Sequence, residues 1–410
     1  MNPQDFHQVM RHEELCTNCL YCDLSIACPG SHACTGCGVC VTACLNEARH
    51  LIPDPLPRKT INLEVDGESH EVPERITLLR ALELLGFTFS RFPNESDFFA
   101  PCKTGGCWSC AVLVNGKLKP SCITPVRDGM RVQTSGLEMQ KQQPLRIVTG
   151  FQGHSVGGVG TPWQVKQQGI GGYVEVACFA SGCVLRCPSC QNWRVTYSSV
   201  ELPLTPFEAA REMTKIRKYC KVDRMAISGG ESTLNRQWLS CYLVELKQLN
   251  LDKKARLHVD TNACILTPDY VDELVASGMT DIGPDIKGLE LDTFMRFTGL
   301  GDRILAKKYH NSTWLAVKYL LDNYKDSLFL GVGIPYNKKL IDLDEIGRIG
   351  DLLASWDPEI QVCVLDYRPE FRAKELVRPS FKEMQQIKIL LNGTGLTTVI
   401  CQTTRGHIGP

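Results

Sequence analysis

The chain has 410 residues, too many for one ordinary core, so roughly two to four domains are expected. Its 45 basic and 45 acidic residues cancel, which removes any electrostatic case for a nucleic-acid partner or a membrane surface. No apolar run is long enough to span a bilayer, MNPQDFHQVMRHEELC lacks a basic-then-apolar leader pattern, and the 21 cysteines cluster in C-x2-C units, so thiolate–metal chemistry in a reducing, anaerobic cytoplasm is expected rather than a disulfide framework.

Residues 1–54 carry eight of these cysteines, in CTNCLYC (Cys16, Cys19, Cys22), then Cys28, then CTGCGVC (Cys34, Cys37, Cys40), then Cys44. Each C-x2-C-x2-C run places three thiolates around one cubic cluster and needs a fourth ligand from elsewhere. The pattern resembles the two-cluster bacterial ferredoxins, where the distant cysteine serves the other cluster. That resemblance implies one [4Fe–4S] cluster on Cys16, Cys19, Cys22 and Cys44, and a second on Cys34, Cys37, Cys40 and Cys28. Five residues separate Cys22 from Cys28 where three are usual, and five separate Cys28 from Cys34, too few for the usual hairpin. Zinc is the alternative metal. Pro53, Pro55 and Pro57 close this segment.

Residues 55–145 begin with INLEVDGESHEV, whose alternation about Asp66-Gly67 predicts a tight β-hairpin. In TLLRALELLG, Thr77 is a candidate N-cap, Leu79, Leu82 and Leu85 share a helical face, and Gly86 is a stop. Cys102, Cys107, Cys110 and Cys122 follow in the spacing C-x4-C-x2-C-x11-C, with Gly105 and Gly106 letting backbone amides approach cluster sulfurs. Hairpin, helix, cysteine loop and returning strand resemble the [2Fe–2S] domain of plant-type ferredoxins, especially that of succinate dehydrogenase iron–sulfur subunits. The alternative is a zinc-stapled loop.

Residues 146–172 are glycine-rich and read as a linker or wrapping loop. Residues 173–410 alternate apolar strands with amphipathic helices. The strands YVEVACF, RMAISGG, RLHVDTN, DIGPDIK, SLFLGVGIP and IQVCVLDY predict six β/α units, an α/β partial barrel with its site at the C-terminal strand ends. Immediately after the first strand comes CVLRCPSC, with Cys183, Cys187 and Cys190 spaced C-x3-C-x2-C. Three thiolates can hold three irons of a cube and leave the fourth open to a substrate. This spacing resembles the cluster loop of the radical S-adenosylmethionine (SAM) enzymes, which implies a [4Fe–4S] cluster whose open iron chelates SAM. Taken alone, the pattern also suits zinc.

The other strand ends agree. Ser228, Gly229, Gly230 and Glu231 resemble the motif of that family that meets the methionyl amino group. Asp260, Thr261 and Asn262, followed by Asp285 and Lys287, resemble the activating enzymes of glycyl radical enzymes, such as the pyruvate formate-lyase activator. The resemblance implies a monovalent cation on Asp260, Thr261 and Asp285, hard oxygen ligands suited to it, and Lys287 on the SAM carboxylate. Gln191-Asn192 also resembles that branch. The alternative reading is of polar strand ends capping helices. Ser189 stands where an aromatic residue is usual, and GGYVEVACFASGC lacks the glycine signature of true activating enzymes. Arg368-Pro369-Glu370-Phe371 is a candidate for the substrate mouth or a surface turn. Cys178, Cys220, Cys241, Cys264, Cys363 and Cys401 read mostly as small core residues, Cys401 with a minority reading as hydrogen donor or extra ligand, and His258 as a core histidine.

The expected function is reductive cleavage of SAM to a 5′-deoxyadenosyl radical and hydrogen abstraction from a substrate, by resemblance a protein residue. The fused iron–sulfur segments relay electrons from an external donor. Two alternatives are radical SAM chemistry on a small metabolite or a stable protein modification, and a non-catalytic electron carrier with a degenerate barrel.

Overall fold

The structure, a computed structural model, describes residues 6–410. It forms two compact units. The first runs to Ile147 and includes Ala180–Val184 and Trp193–Thr205; the second comprises Val148–Phe179, Leu185–Asn192 and Pro206–Pro410.

In the first unit, β1 (His7–Arg11) pairs antiparallel with β2 (Arg49–Pro53), so the two ends of the cysteine-rich segment are tied together. Between them lie the short helices Tyr21–Leu24 and Val39–Ala43, each entered through a left-handed residue, Leu20 and Gly38. The next layer is a five-stranded sheet. β3 (Thr60–Val65) and β4 (Glu68–Pro73) form the expected hairpin, with positive φ at Asp66 and Gly67 as a tight turn needs. β5 (Phe89–Ser90) and β6 (Phe98–Phe99) make a small separate pair. β7 (Ala111–Val114), β8 (Lys117–Pro120) and β9 (Met130–Gln133) complete the order β4-β3-β9-β7-β8. The helix Leu78–Leu84 starts where expected, the Thr77 hydroxyl accepting from Arg80 N at 3.2 Å. Its Leu78 and Leu82 join Leu63, Val72, Ile76, Val112 and Val132 in one core, which Phe6 also enters.

The second unit is a nine-stranded sheet in strict sequence order. β10 (Val148–His154) is followed by β11 (Glu175–Ala180), β12 (Arg224–Gly229), β13 (Arg256–Thr261), β14 (Asp281–Pro284), β15 (Phe329–Tyr336), β16 (Gln361–Asp366), β17 (Val399–Thr403) and β18 (Gly406–Ile408). β12 to β17 are mutually parallel and β18 returns antiparallel. The mixed α/β class expected from the sequence holds, and the six expected strands are β11 to β16. Consecutive parallel strands need long crossovers, and helices such as Arg236–Leu249, Pro268–Ala276 and Leu343–Trp356 supply them.

The glycine-rich stretch is more than a connection. Val148–His154 is a strand, and Gly157–Thr161 threads among the others. Val159 O accepts from Gln361 Nε2 at 3.3 Å, and Gly160 O accepts from Arg224 at 2.9 Å. Gly283, Gly331 and Gly333 leave the room: a Cβ at Gly283 would come within 2.6 Å of Gly160 N, and one at Gly331 within 3.1 Å of Gly160 Cα. At the first residues of these strands, Arg224 pairs with Glu175 at 2.9 Å and Asp281 at 2.8 Å, all three buried, and Arg256 adds to Asp281 at 3.0 Å.

Candidate active site

Glu231 follows β12 and is 1% exposed. Its Oε1 accepts from Thr233 N (3.0 Å), Thr233 Oγ1 (2.6 Å) and Thr261 Oγ1 (2.6 Å), and its Oε2 from Asn262 N (2.7 Å). The carboxylate is thereby consumed in stitching the end of β12 to the end of β13. The backbone beside it turns sharply: Gly229 has φ of 113°, and its carbonyl accepts from Asn192 Nδ2 at 3.0 Å. The sequence therefore brings Asn192, Gly229, Glu231, Thr261 and Asn262 together. The Asn262 side chain turns back to accept from Cys264 N at 3.1 Å.

The two aspartates are already compensated. Asp260 Oδ1 lies 2.6 Å from His258 Nε2, and Asp285 Oδ2 lies 2.9 Å from Lys287 Nζ. Burial pushes Asp260 upward, but His258, Arg224 and Ser228 together hold it below its ordinary value. Lys287 is driven down by burial and up, decisively, by Asp285, then by Cys187 and Tyr367, so its ammonium stays charged. Burial pushes the Cys187 thiol up to about 12, with Lys287 pulling the other way.

Cys190 N donates to Cys187 O at 3.1 Å, which closes a turn over Pro188 and Ser189. That turn is held by a segment the sequence left undecided between mouth and surface turn. Arg372 N and Ala373 N donate to Pro188 O at 2.9 and 3.0 Å, and Ser189 Oγ donates to Arg368 O at 2.8 Å. These bonds make Arg368–Ala373, with Phe371 buried within it, the brace of the cysteine loop. Ser189, the departure from the usual aromatic residue noted in the sequence, thus serves as a hydrogen-bond donor in this brace. Nothing in spacing or periodicity marks such a brace. The buried Arg224–Glu175–Asp281 cluster was also missed, although charged residues within the apolar strands RMAISGG, YVEVACF and DIGPDIK were a signal.

The thiol-rich sites suit iron–sulfur clusters, because their donors are sulfurs with backbone amides aimed at them. Cys102, Cys107, Cys110 and Cys122 are all buried; Cys102 and Cys107 sulfurs are 3.1 Å apart, and Thr104 N points at Cys102 Sγ from 3.4 Å. Hydrogen bonds from Cys107 and then Cys122 hold the Cys102 thiol well below its usual range. In the N-terminal segment, Cys16, Cys19, Cys22 and Cys44 line one cavity with Arg49 and Asp23. Cys28, Cys34, Cys37 and Cys40 interact electrostatically with one another, and burial pushes Cys40 up to about 12. Gly30 N points at Cys28 Sγ (3.4 Å) and Ala48 N at Cys44 Sγ (3.2 Å). Of the other cysteines, Cys178, Cys220, Cys264 and Cys401 are buried, Cys363 is half-buried and Cys241 is exposed.

Residues 178–345 match the Radical SAM superfamily profile, and residues 58–136 match the 2Fe-2S iron-sulfur cluster binding domain. The chain thus carries a radical SAM domain and a [2Fe–2S] ferredoxin domain. An uncharacterized iron-sulfur protein of Methanocaldococcus jannaschii is 42% identical over 66 residues, 16% of this chain and 13% of that protein. The alpha subunit of an NADPH-Fe(3+) oxidoreductase of Geobacter sulfurreducens is 34% identical over 83 residues, 20% of this chain and 10% of the subunit. The chain therefore spans only about an eighth or less of these relatives. Among solved structures, SuiB of Streptococcus suis bound to S-adenosylmethionine has a TM-score of 0.38 and 16% identity, over 52% of this chain and 42% of that one. The hydrogenase maturase HydG of Carboxydothermus hydrogenoformans has a TM-score of 0.41 and 16% identity, over 53% and 50%. No helix among the described residues is long and apolar enough to cross a membrane.

Proposed function

We propose that the protein is a radical SAM enzyme of activating type, acting on a protein residue and fed by its own iron–sulfur segments. The observation that carries this is that Cys183, Cys187 and Cys190 fall with Gly229-Gly230-Glu231, Asp260-Thr261-Asn262 and Asp285-Ile286-Lys287 inside the one stretch, residues 178–345, that matches the radical SAM superfamily. A [4Fe–4S] cluster with an open iron supplies, with SAM, one-electron cleavage to methionine and a 5′-deoxyadenosyl radical. The three cysteines hold the cluster. The carbonyls at Gly229 and Gly230 receive the SAM ammonium, and Glu231 acts as a positioning residue for them, its carboxylate being saturated within the chain. Lys287, kept charged by Asp285, receives the SAM carboxylate. A monovalent cation is not part of the proposal, because Asp260 already faces the His258 ring and Asp285 the Lys287 ammonium.

Cys102, Cys107, Cys110 and Cys122 would hold a [2Fe–2S] cluster. Cys16, Cys19, Cys22 and Cys44, with Cys28, Cys34, Cys37 and Cys40, would hold two further [4Fe–4S] clusters. An external low-potential donor would reduce them in a reducing cytoplasm. The protein-substrate reading rests on the likeness of the DTN and D-x-K strand ends and of Gln191-Asn192 to activating enzymes.

The decisive assay is 5′-deoxyadenosine formation by anaerobically reconstituted full-length protein with SAM and dithionite. Product is expected from the wild type and none from Cys183→Ala/Cys187→Ala/Cys190→Ala. No product from the wild type would sink the reading. Deuterium should then pass into 5′-deoxyadenosine from a deuterated polypeptide substrate; transfer only from small metabolites would remove the activating-type assignment.

A further inference from the structure

We infer that the cysteine loop receives electrons at two separate points, one on each flank, so that the two sets of N-terminal clusters feed it in parallel. This rests on the proposed function and adds to it which residues set the two contacts. All of them lie in the first compact unit.

The first contact is a glycine pair. A Cβ on Gly106, between two [2Fe–2S] cysteines, would fall 2.6 Å from Ser181 Cβ and 2.8 Å from Gly182 N. A Cβ on Gly182 would fall 3.1 Å from the Cβ atoms of both Cys102 and Cys107. Only glycine allows backbones this close, and Gly182 also has φ of 87°. Ile147 bridges the two strands of chain, donating to Gly106 O at 3.3 Å and accepting from Ser181 N at 3.0 Å. Two [2Fe–2S] ligands are therefore in van der Waals range of the residue preceding Cys183. The Ser181 hydroxyl is fully buried and has no hydrogen-bond partner among the described residues. Such a group calls for an acceptor, and a cluster sulfur is a suitable one.

The second contact lies beyond Cys190. Tyr21 sits between Cys19 and Cys22, and its hydroxyl donates to Arg194 O at 2.7 Å. Its ring meets Trp193 edge-on, centroids 4.8 Å apart. The Arg194 guanidinium lies 4.4 Å above the indole, and Ala27 N, next to Cys28, donates to Ser199 Oγ at 2.9 Å. Tyr21 and Trp193 are both buried. Trp193 follows Cys190 by two intervening residues.

A serial chain needs only its last member to touch the acceptor. Here each donor set packs on a different flank, and through-protein electron transfer falls steeply with distance, so each contact is its own input. One electron leaves a reduced donor, which becomes oxidised by one; the cluster on Cys183, Cys187 and Cys190 is reduced by one; an external low-potential one-electron reductant restores the donor.

The test uses reconstituted full-length protein, reduced with methyl viologen, in four forms: wild type, Gly106→Val, Trp193→Ala and the double variant. Pulsed electron paramagnetic resonance reads spin–spin coupling to the loop cluster, and freeze-quench reads its reduction rate. Gly106→Val should lose the coupling to the [2Fe–2S] signal alone, and Trp193→Ala the coupling to the N-terminal signal alone. Each should keep reduction by the other route, and the double variant should lose both. Iron content and the [2Fe–2S] optical spectrum verify folding, with Gly106→Ala and Trp193→Phe as milder forms graded in the same direction. If either single variant stops reduction as fully as the double, the donors are in series and the inference is overturned. Unchanged couplings in both would overturn it too. Failure of the proposed function would instead appear as absent 5′-deoxyadenosine with dithionite.

Discussion

Glu231 illustrates how a residue can belong to a motif and yet act indirectly. Four donors converge on its buried carboxylate, so Glu231→Ala leaves Thr261, Thr233 and Asn262 donors without an acceptor. The expected loss is about 3 kcal/mol or more of stability, read by chemical denaturation, with SAM affinity falling alongside. A variant that lost SAM affinity at wild-type stability would show direct contact instead. Asp252 gives the pH dependence. Hydrogen bonds and charge from Arg217 (2.6 and 2.9 Å) hold its carboxyl down to about 2. A depressed carboxylate stabilises the fold above its unfolded value, about 3.9, and that contribution vanishes as pH falls through 2. Asp252→Asn should therefore cost thermal stability at pH 5 and progressively less towards pH 2. An unchanging difference between the two proteins across that range would refute the assignment.

At the scale of elements, the strands were legible and their inward faces were not. Period-2 and continuous apolar runs marked β11 to β16, because each is buried along its length. β17 and β18 escaped, since VICQTTRGHI alternates weakly and gains its place only by pairing with β16. The glycines of DIGPD and LGVG lie within two of the expected strands, where they supply no side chain to pack. They are instead the space occupied by Val159 and Gly160. Gly333→Ala would drive a methyl into the Asp285 carboxylate and Val159. A cost of about 1–3 kcal/mol is expected from overpacking, partly relieved by Val159→Ala in the same chain. Lack of coupling between the two substitutions in a denaturation cycle would separate the threaded segment from the strands. Arg224 carries a larger share. Arg224→Ala leaves Glu175 and Asp281 buried without it, a loss of about 3–5 kcal/mol measurable as a drop in the unfolding midpoint.

For the whole molecule, division at the end of the cysteine-rich segments does not follow compactness. The contacts of Gly182 with Cys102 and Cys107, and of Trp193 with Tyr21, draw Ala180–Val184 and Trp193–Thr205 into the first unit. Read from sequence, removal of residues 1–145 is a clean test of electron relay that spares dithionite-driven turnover. The structure changes that expectation: the truncation would expose Trp193 and Cys183, which are 4% and 8% exposed in the full chain. The truncated protein should lose 5′-deoxyadenosine formation even with dithionite, whereas Gly106→Val should retain it. Full dithionite-driven product from the truncated chain would mean that the loop is held without those contacts.

The sequence alone determined the kinds of site, because cysteine spacing, strand periodicity and glycine at turns are local properties read over a few residues. It likewise determined the order of the parallel strands, since each β/α crossover adds a strand beside the last. Only the tertiary structure decided what each polar group faces. Glu231 meets the next strand end, Asp260 meets His258, Asp285 meets Lys287, Arg368–Ala373 braces the cysteine loop, and two remote cysteine segments pack against Gly182 and Trp193. Those partners lie tens to hundreds of residues away along the chain, and hydrogen bonding, desolvation and close packing act only at contact.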